Sequence, residues 1–272
     1  MSIEMLNLSA KAAHFDSESI TTVRYQTEQL QKDHYDRIAQ QYEAHYSDLS
    51  SRQYRDRFIY QPMFRGLQLK GLNILDAMCG SGQATDYLLE RGAKVTGLDI
   101  STEAISAFRQ RRPDCEAICG SLLASGLPDD SFDCVTVVGG LHHLHPHLYA
   151  ALEEIHRVLK PGGTFCFMEP HSGSFPDLIR NFWYKHDSFF SENEKAIGMT
   201  SLKDDFSSRF VFRRELYQGN VAFLLVLNSL IFRVPVGWKR TYAPFLLWLE
   251  AVIGKFQGKL SSCFVVTQWE KR

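Results

Sequence analysis

Apolar positions along this chain fall into two kinds of block. Short apolar runs at 74–77, 94–99, 115–119, 132–138 and 164–168 read as strands. Between them, residues 83–91, 101–112 and 147–159 carry apolar side chains three and four apart and predict helices. Ser101 stands as an N-cap, and Lys160-Pro161-Gly162-Gly163 as a stop. Upstream, Leu30, His34, Tyr35, Ile38, Ala39 and Tyr42 predict a helix over 22–44. A second helix is predicted over 51–66, bent by Pro62. Residues 209–217 and 262–270 read as a sixth and a seventh strand. Strand and helix alternating over short connections is the pattern of a parallel sheet covered on both faces. The expectation is one α/β domain over residues 1–272. Residues 1–70 form an N-terminal helical cap, 71–170 the core, and 171–207 and 218–261 two insertions.

The first strand runs into Asp76-Ala77-Met78-Cys79-Gly80-Ser81-Gly82, a glycine turn that opens a helix. In such folds ligands bind beyond the carboxyl ends of the strands. Glycines admit a ligand close to the backbone, and a helix N-terminus favours anionic groups. Asp99 ends the second strand, 19 residues after Gly80, where a carboxylate suits the hydroxyls of a ribose. A dinucleotide turn would want a third glycine where Thr85 stands. Asp76 at the start of the turn would repel a pyrophosphate but could hold an ammonium. The pattern favours an aminoacyl nucleoside over NAD.

Composition narrows the class. The 272 residues, 44% hydrophobic and 22% charged, suffice for a sizeable core. A net charge of −1 argues against nucleic acid as a partner, because phosphate neutralisation supplies most of that affinity. The charge is uneven: residues 1–199 carry 19 basic and 26 acidic groups, residues 200–272 carry 11 and 5. The six cysteines form no C-x-x-C pair, and several lie inside apolar runs, as buried free thiols of a reducing compartment would. No signal-peptide pattern opens the chain, and no apolar run is long enough to span a bilayer. The expected location is cytoplasmic, with peripheral membrane contact open.

Five blocks in order resemble the class I S-adenosylmethionine-dependent methyltransferases. They are Ile74 to Gly82, Gly97-Leu98-Asp99-Ile100-Ser101, Leu127 to Asp133, Leu141-His142-His143-Leu144, and Val158 to Gly163. The likeness is to the small-molecule group that includes ubiquinone and menaquinone biosynthesis enzymes, and it covers roughly residues 30–170. It implies a Rossmann-like, seven-stranded, mostly parallel sheet whose last strand is antiparallel, with N-terminal helices and insertions capping the active site. It implies S-adenosyl-L-methionine as cofactor. By position, Asp76, Ala77, Met78, Gly80 and Gly82 would surround its methionine part. Asp99 would bind the ribose and Ile100 would pack on adenine. Ser121 and Leu122 would meet the adenine edge, and Gly139 and Gly140 would line the floor near the sulfonium. Tyr35 and Tyr42, on a segment that folds over the cofactor in related enzymes, could close the site. Met78 stands where glycine is usual, and Ser121 where Asp is common.

Methyl transfer from a sulfonium starts from an activated leaving group, so positioning supplies much of the catalysis. A hydroxyl acceptor also benefits from a base near neutrality. His142 and His143 follow the fourth strand and His171 the fifth, at the functional end. Each is a candidate base; the alternative is that they cap loops or pack beneath the cofactor. His145 and His147 lie nearby, but no carboxylate is spaced with these histidines as a metal site would need, so no metal is expected.

Both insertions are rich in aromatics, among them Phe182, Trp183, Trp238 and Trp248. They suit an enlarged core or a homodimer surface. Equally, they suit an apolar acceptor pocket or a face on membrane, with Arg233, Lys239, Arg240 and Lys255 meeting head groups. The expected acceptor is a small, hydrophobic or lipid-linked molecule methylated on oxygen. The alternatives are carbon of a quinone- or polyketide-type substrate, or a cofactor-binding interaction protein without turnover.

Overall fold

A computed structural model describes residues 45–184 and 195–272, preceded by Gln29, Lys32, Asp33, Asp36, Arg37 and Glu43. Tyr35 and Tyr42 lie outside the described residues, as does most of the helix expected over 22–44.

Seven strands form one sheet: β1 (Asn73–Ala77), β2 (Lys94–Asp99), β3 (Glu116–Cys119), β4 (Phe132–Val138), β5 (Leu159–Pro170), β6 (Phe210–Gln218) and β7 (Phe264–Lys271). Their order is β3-β2-β1-β4-β5-β7-β6. The β1–β2, β1–β4, β2–β3 and β4–β5 pairs are parallel, and β7 runs antiparallel to both β5 and β6. The chain reverses between β1 and β4, so a crevice opens beyond their carboxyl ends. The fifth strand starts at Leu159, earlier than its apolar run suggests. Phe132 pairs with Leu159 and Cys134 with Thr164, so the Lys160–Gly163 stop signal forms a bulge inside the strand.

Alternate side chains feed two cores. Leu75, Val135, Val137, Phe165, Phe167 and Trp269 pack with α5 (Leu148–Val158) and α7 (Met199–Phe206). Ile74, Cys134, Cys166, Phe264 and Val266 face the N-terminal helices, α3 (Gln83–Leu89) and α8 (Val236–Ile253). The N-terminal helix predicted as one bent piece is α1 (Leu49–Arg55), a π turn (Asp56–Tyr60) and α2 (Gln61–Met63). Pro62 has no N–H to continue an α-helical ladder, and the widened turn just before it takes up the break. Asp48 caps α1 by accepting from Ser50 N–H at 3.0 Å. The remaining helices are α4 (Thr102–Arg111), capped by Ser101, and α6 (Phe175–Tyr184). All six cysteines are free; Cys79, Cys134, Cys166 and Cys263 are buried, Cys115 is half-buried, and Cys119 is exposed.

Pro170 pairs with Phe264, and Phe264 with Gln218. The second insertion therefore leaves and rejoins the sheet at the end where β1 and β4 deliver their loops, whereas the first leaves there and crosses to the other end, where β6 starts at Phe210. Lys239 corrects one expectation. It is fully buried and donates to Asp48 Oδ2 at 2.7 Å and Ser51 Oγ at 2.9 Å, so it ties α8 to α1 and meets no head group. Among the described residues no helix is long and apolar enough to cross a membrane.

Candidate active site

The glycine turn is held open by three left-handed residues, Met78 at φ 56°, Gly80 at 54° and Gly82 at 85°. Met78 thus adopts a backbone shape that ordinarily favours glycine. A methyl group on Gly82 would lie 2.7 Å from the Phe108 ring, and one on Gly97 2.8 Å from the same ring. Phe108 of α4 wedges between turn and strand and sets the spacing. Arg112, at the end of α4, donates to Ser81 O at 2.8 Å and Gly82 O at 2.6 Å and pairs with Asp86. Neither clamp residue carries a signal in local spacing, because both reach the turn from a helix that follows β2.

Asp76 and Asp99 flank this turn. Asp76 is buried and accepts from Thr85 Oγ1 at 2.5 Å. No ion pair reaches it among the described residues, and burial raises its pKa to about 7. Thr85, which breaks the dinucleotide pattern, is therefore the partner of the turn's own acid. Asp99 accepts from Gly80 N–H at 2.8 Å and Ser101 N–H at 2.9 Å, and burial raises its pKa too. Each oxygen keeps a lone pair for a hydroxyl. A buried carboxylate with no ion pair among the described residues, a second acid on the next strand and a glycine-lined gap fit an aminoacyl nucleoside. Ile100 is half-buried beside Asp99. Ser121 accepts from Leu123 N–H at 3.0 Å, capping a short turn in which Leu122 is buried.

From upstream, Glu43 accepts from Ser81 Oγ, from Gln83 Nε2 at 3.0 Å and from Arg111 at 2.9 Å. Asp36 accepts from Ser101 Oγ. The N-terminal segment thus meets both cofactor-side loops, through polar residues that aromatic spacing did not single out.

Across the crevice, Gly139 has φ 68°, and a side chain there would meet nothing within 4 Å. A methyl on Gly140 would strike Met78 Sδ at 2.8 Å, so the β4 loop and the glycine turn close on each other. The loop hangs from Glu169 at the end of β5. Glu169 is fully buried and accepts from Gly140 N–H at 2.8 Å, Leu141 N–H at 2.7 Å and His142 N–H at 3.2 Å. His142 Nδ1 lies 2.7 Å from Glu169 Oε2. Burial raises the Glu169 pKa to about 8 and lowers that of His142 to about 3. A proton between Oε2 and Nδ1 joins the two groups, and burial favours the neutral ring.

The His143 ring lies against that of His142, with centres 3.8 Å apart and planes tilted by 39°. His171 does not join them. It is fully buried, its nitrogens face Ser172 O at 3.2 Å and Ser262 O at 3.1 Å, and it pins the start of one insertion to the end of the other. No cluster suited to a metal ion occurs among the described residues.

Known proteins are similar to this chain. The methyltransferase-domain family matches residues 75–167, from β1 to β5. An uncharacterized methyltransferase of Synechocystis sp. is 38% identical over 173 residues, 60% of this chain and 79% of the relative. The chain belongs to the class I S-adenosylmethionine-dependent methyltransferases. The demethylmenaquinone methyltransferase of Renibacterium salmoninarum is 33% identical over 115 residues, 41% of this methyltransferase and 48% of the relative. The methyltransferase thus spans about half the length of that enzyme. The fold is shared with the crystal structure of magnesium protoporphyrin IX methyltransferase from Synechocystis with bound SAH. That likeness has a TM-score of 0.60 at 12% identity and covers 90% of this chain and 100% of that one.

Proposed function

We propose that this methyltransferase methylates a small apolar molecule, on an oxygen whose proton His142 removes. The observation that carries this reading is the His142–Glu169 pair, 2.7 Å apart, on the loop that also presents Gly139 and Gly140. Bound S-adenosylmethionine supplies a methyl group on a sulfonium that leaves readily. Asp76 holds its ammonium and Asp99 its ribose, with Ala77, Met78, Gly80 and Gly82 around the amino-acid part. Ile100, Ser121 and Leu122 border the adenine. Glu169 is a positioning residue that fixes the His142 ring and withdraws the Nδ1 proton from competition. Residues 1–272 act as one domain, with the two insertions over the acceptor.

The likeness to demethylmenaquinone methyltransferases favours a second reading, carbon of a quinone-type ring. The same base serves there, because removing a ring hydroxyl proton places negative charge on the adjacent carbon. Labelled methyl transfer to a panel of phenols and reduced quinones separates the two, since an O-methyl product resists reoxidation to the quinone and a C-methyl product does not. His142→Ala is expected to keep cofactor affinity and lose turnover by roughly 10²–10⁴-fold. Unchanged turnover would remove the base from the mechanism.

A further inference from the structure

We propose that the outer face of the 219–263 insertion docks on membrane containing anionic lipid. The proposal rests on the exposure and charge of that face, independently of which atom is methylated. Helix α8 turns Trp238, Phe245 and Trp248 to solvent, with 69%, 62% and 57% of their surfaces exposed, and Phe256 just beyond the helix is 87% exposed. Seven- and three-residue steps put the first three on one side of the helix. The Phe245 and Trp248 ring centres lie 5.9 Å apart. Exposed apolar residues scattered singly need no explanation, whereas an aromatic patch of this kind marks an interaction surface.

Charge identifies the partner. From Gln218 to Trp269 the chain has five basic residues and one carboxylate, Glu250. Glu250 is buried, accepting from Tyr54 Oη at 2.7 Å and Ala222 N–H at 2.8 Å. Lys239 is buried against Asp48. The exposed ionic groups of this stretch are therefore all cationic, with Arg240 and Lys255 beside the aromatic rings in sequence. Rings at the head-group boundary and cations against lipid phosphates are what an anionic bilayer matches. A second copy of the chain meeting the same face would set cation against cation. The insertion springs from the sheet end that carries the β4 loop and Glu169, so docking brings the rim of the site to the lipid boundary.

The test is sedimentation of the full-length protein with phosphatidylcholine vesicles, with and without phosphatidylglycerol. The wild type is expected to pellet with the anionic vesicles. Trp238→Ser/Phe245→Ser/Trp248→Ser is expected to weaken that partitioning by at least about tenfold. Arg240→Glu/Lys255→Glu, which leaves the apolar face intact, should weaken it by about tenfold or more. Both variants should bind S-adenosylmethionine as the wild type does, which separates lost docking from a lost fold or a failed cofactor site. Three results would overturn the proposal: no pelleting of the wild type with anionic vesicles, equal pelleting of the aromatic variant, or a wild-type dimer that the aromatic substitutions dissolve.

Discussion

Asp76 is buried with no ion pair among the described residues, and that makes its role testable without knowing the acceptor. Its pKa is raised to about 7 when the site holds no ligand. A carboxylate with a raised folded pKa contributes its full stability below the unfolded value and loses it as pH rises through the folded value. Asp76→Asn is therefore expected to melt higher than the wild type at pH 8 and about the same at pH 4. An arriving ammonium favours the ionised form, so cofactor binding should release protons and weaken as pH falls below about 7. Calorimetric titration in buffers of different ionisation enthalpy reads that release, and Asp76→Asn should abolish it along with tight binding. In the proposed mechanism, ionisation of Glu169 near pH 8 leaves the Nδ1 proton on the ring and frees His142 Nε2 to accept one. The transfer rate should rise with pH through about 8 and lose that limb in Glu169→Gln. A limb near 6.5, surviving in Glu169→Gln, would assign the titration elsewhere. Asp76, Asp99 and the glycines could be read from the sequence because they cluster within short spacings at strand ends. Glu169, Thr85, Arg112 and Glu43 could not, since each acts on a group 9 to 38 residues away through a tertiary contact.

The elements explain why the turn keeps its shape. Phe108 fills the space that side chains on Gly82 and Gly97 would need. Gly97→Ala is expected to cost about 1–3 kcal/mol in denaturant unfolding, because the ring is buried and has nowhere to swing. It should also weaken cofactor binding, since the same ring abuts the glycine turn. A neutral effect on both would contradict the wedge. Strand and helix positions were legible because period-two and period-3.6 patterns survive burial. The π turn before Pro62 was not, because it depends on how the chain accommodates a missing donor. The bulge that opens β5 was hidden for a similar reason: Gly162 and Gly163 look like a terminator, yet the neighbouring strand pairs on both sides of them.

At the scale of the molecule, sheet order puts the loops after β1, β2 and β4, the start of the first insertion and both ends of the second at one end of the sheet. His171 follows β5 at the same end, and there its Nε2 faces Ser262 O at the close of the other insertion. The same scale turns Lys239 inward, a choice between surface and core that local sequence does not encode. In the proposed function, methyl groups leave this site on a small apolar molecule. The most direct measurement supplies S-adenosylmethionine labelled in its methyl group, together with a total lipid extract, and partitions the product among organic, aqueous and protein fractions. Label in the organic fraction, lost with His142→Ala while cofactor binding stays, is the predicted result. Label confined to the aqueous or protein fraction would contradict it.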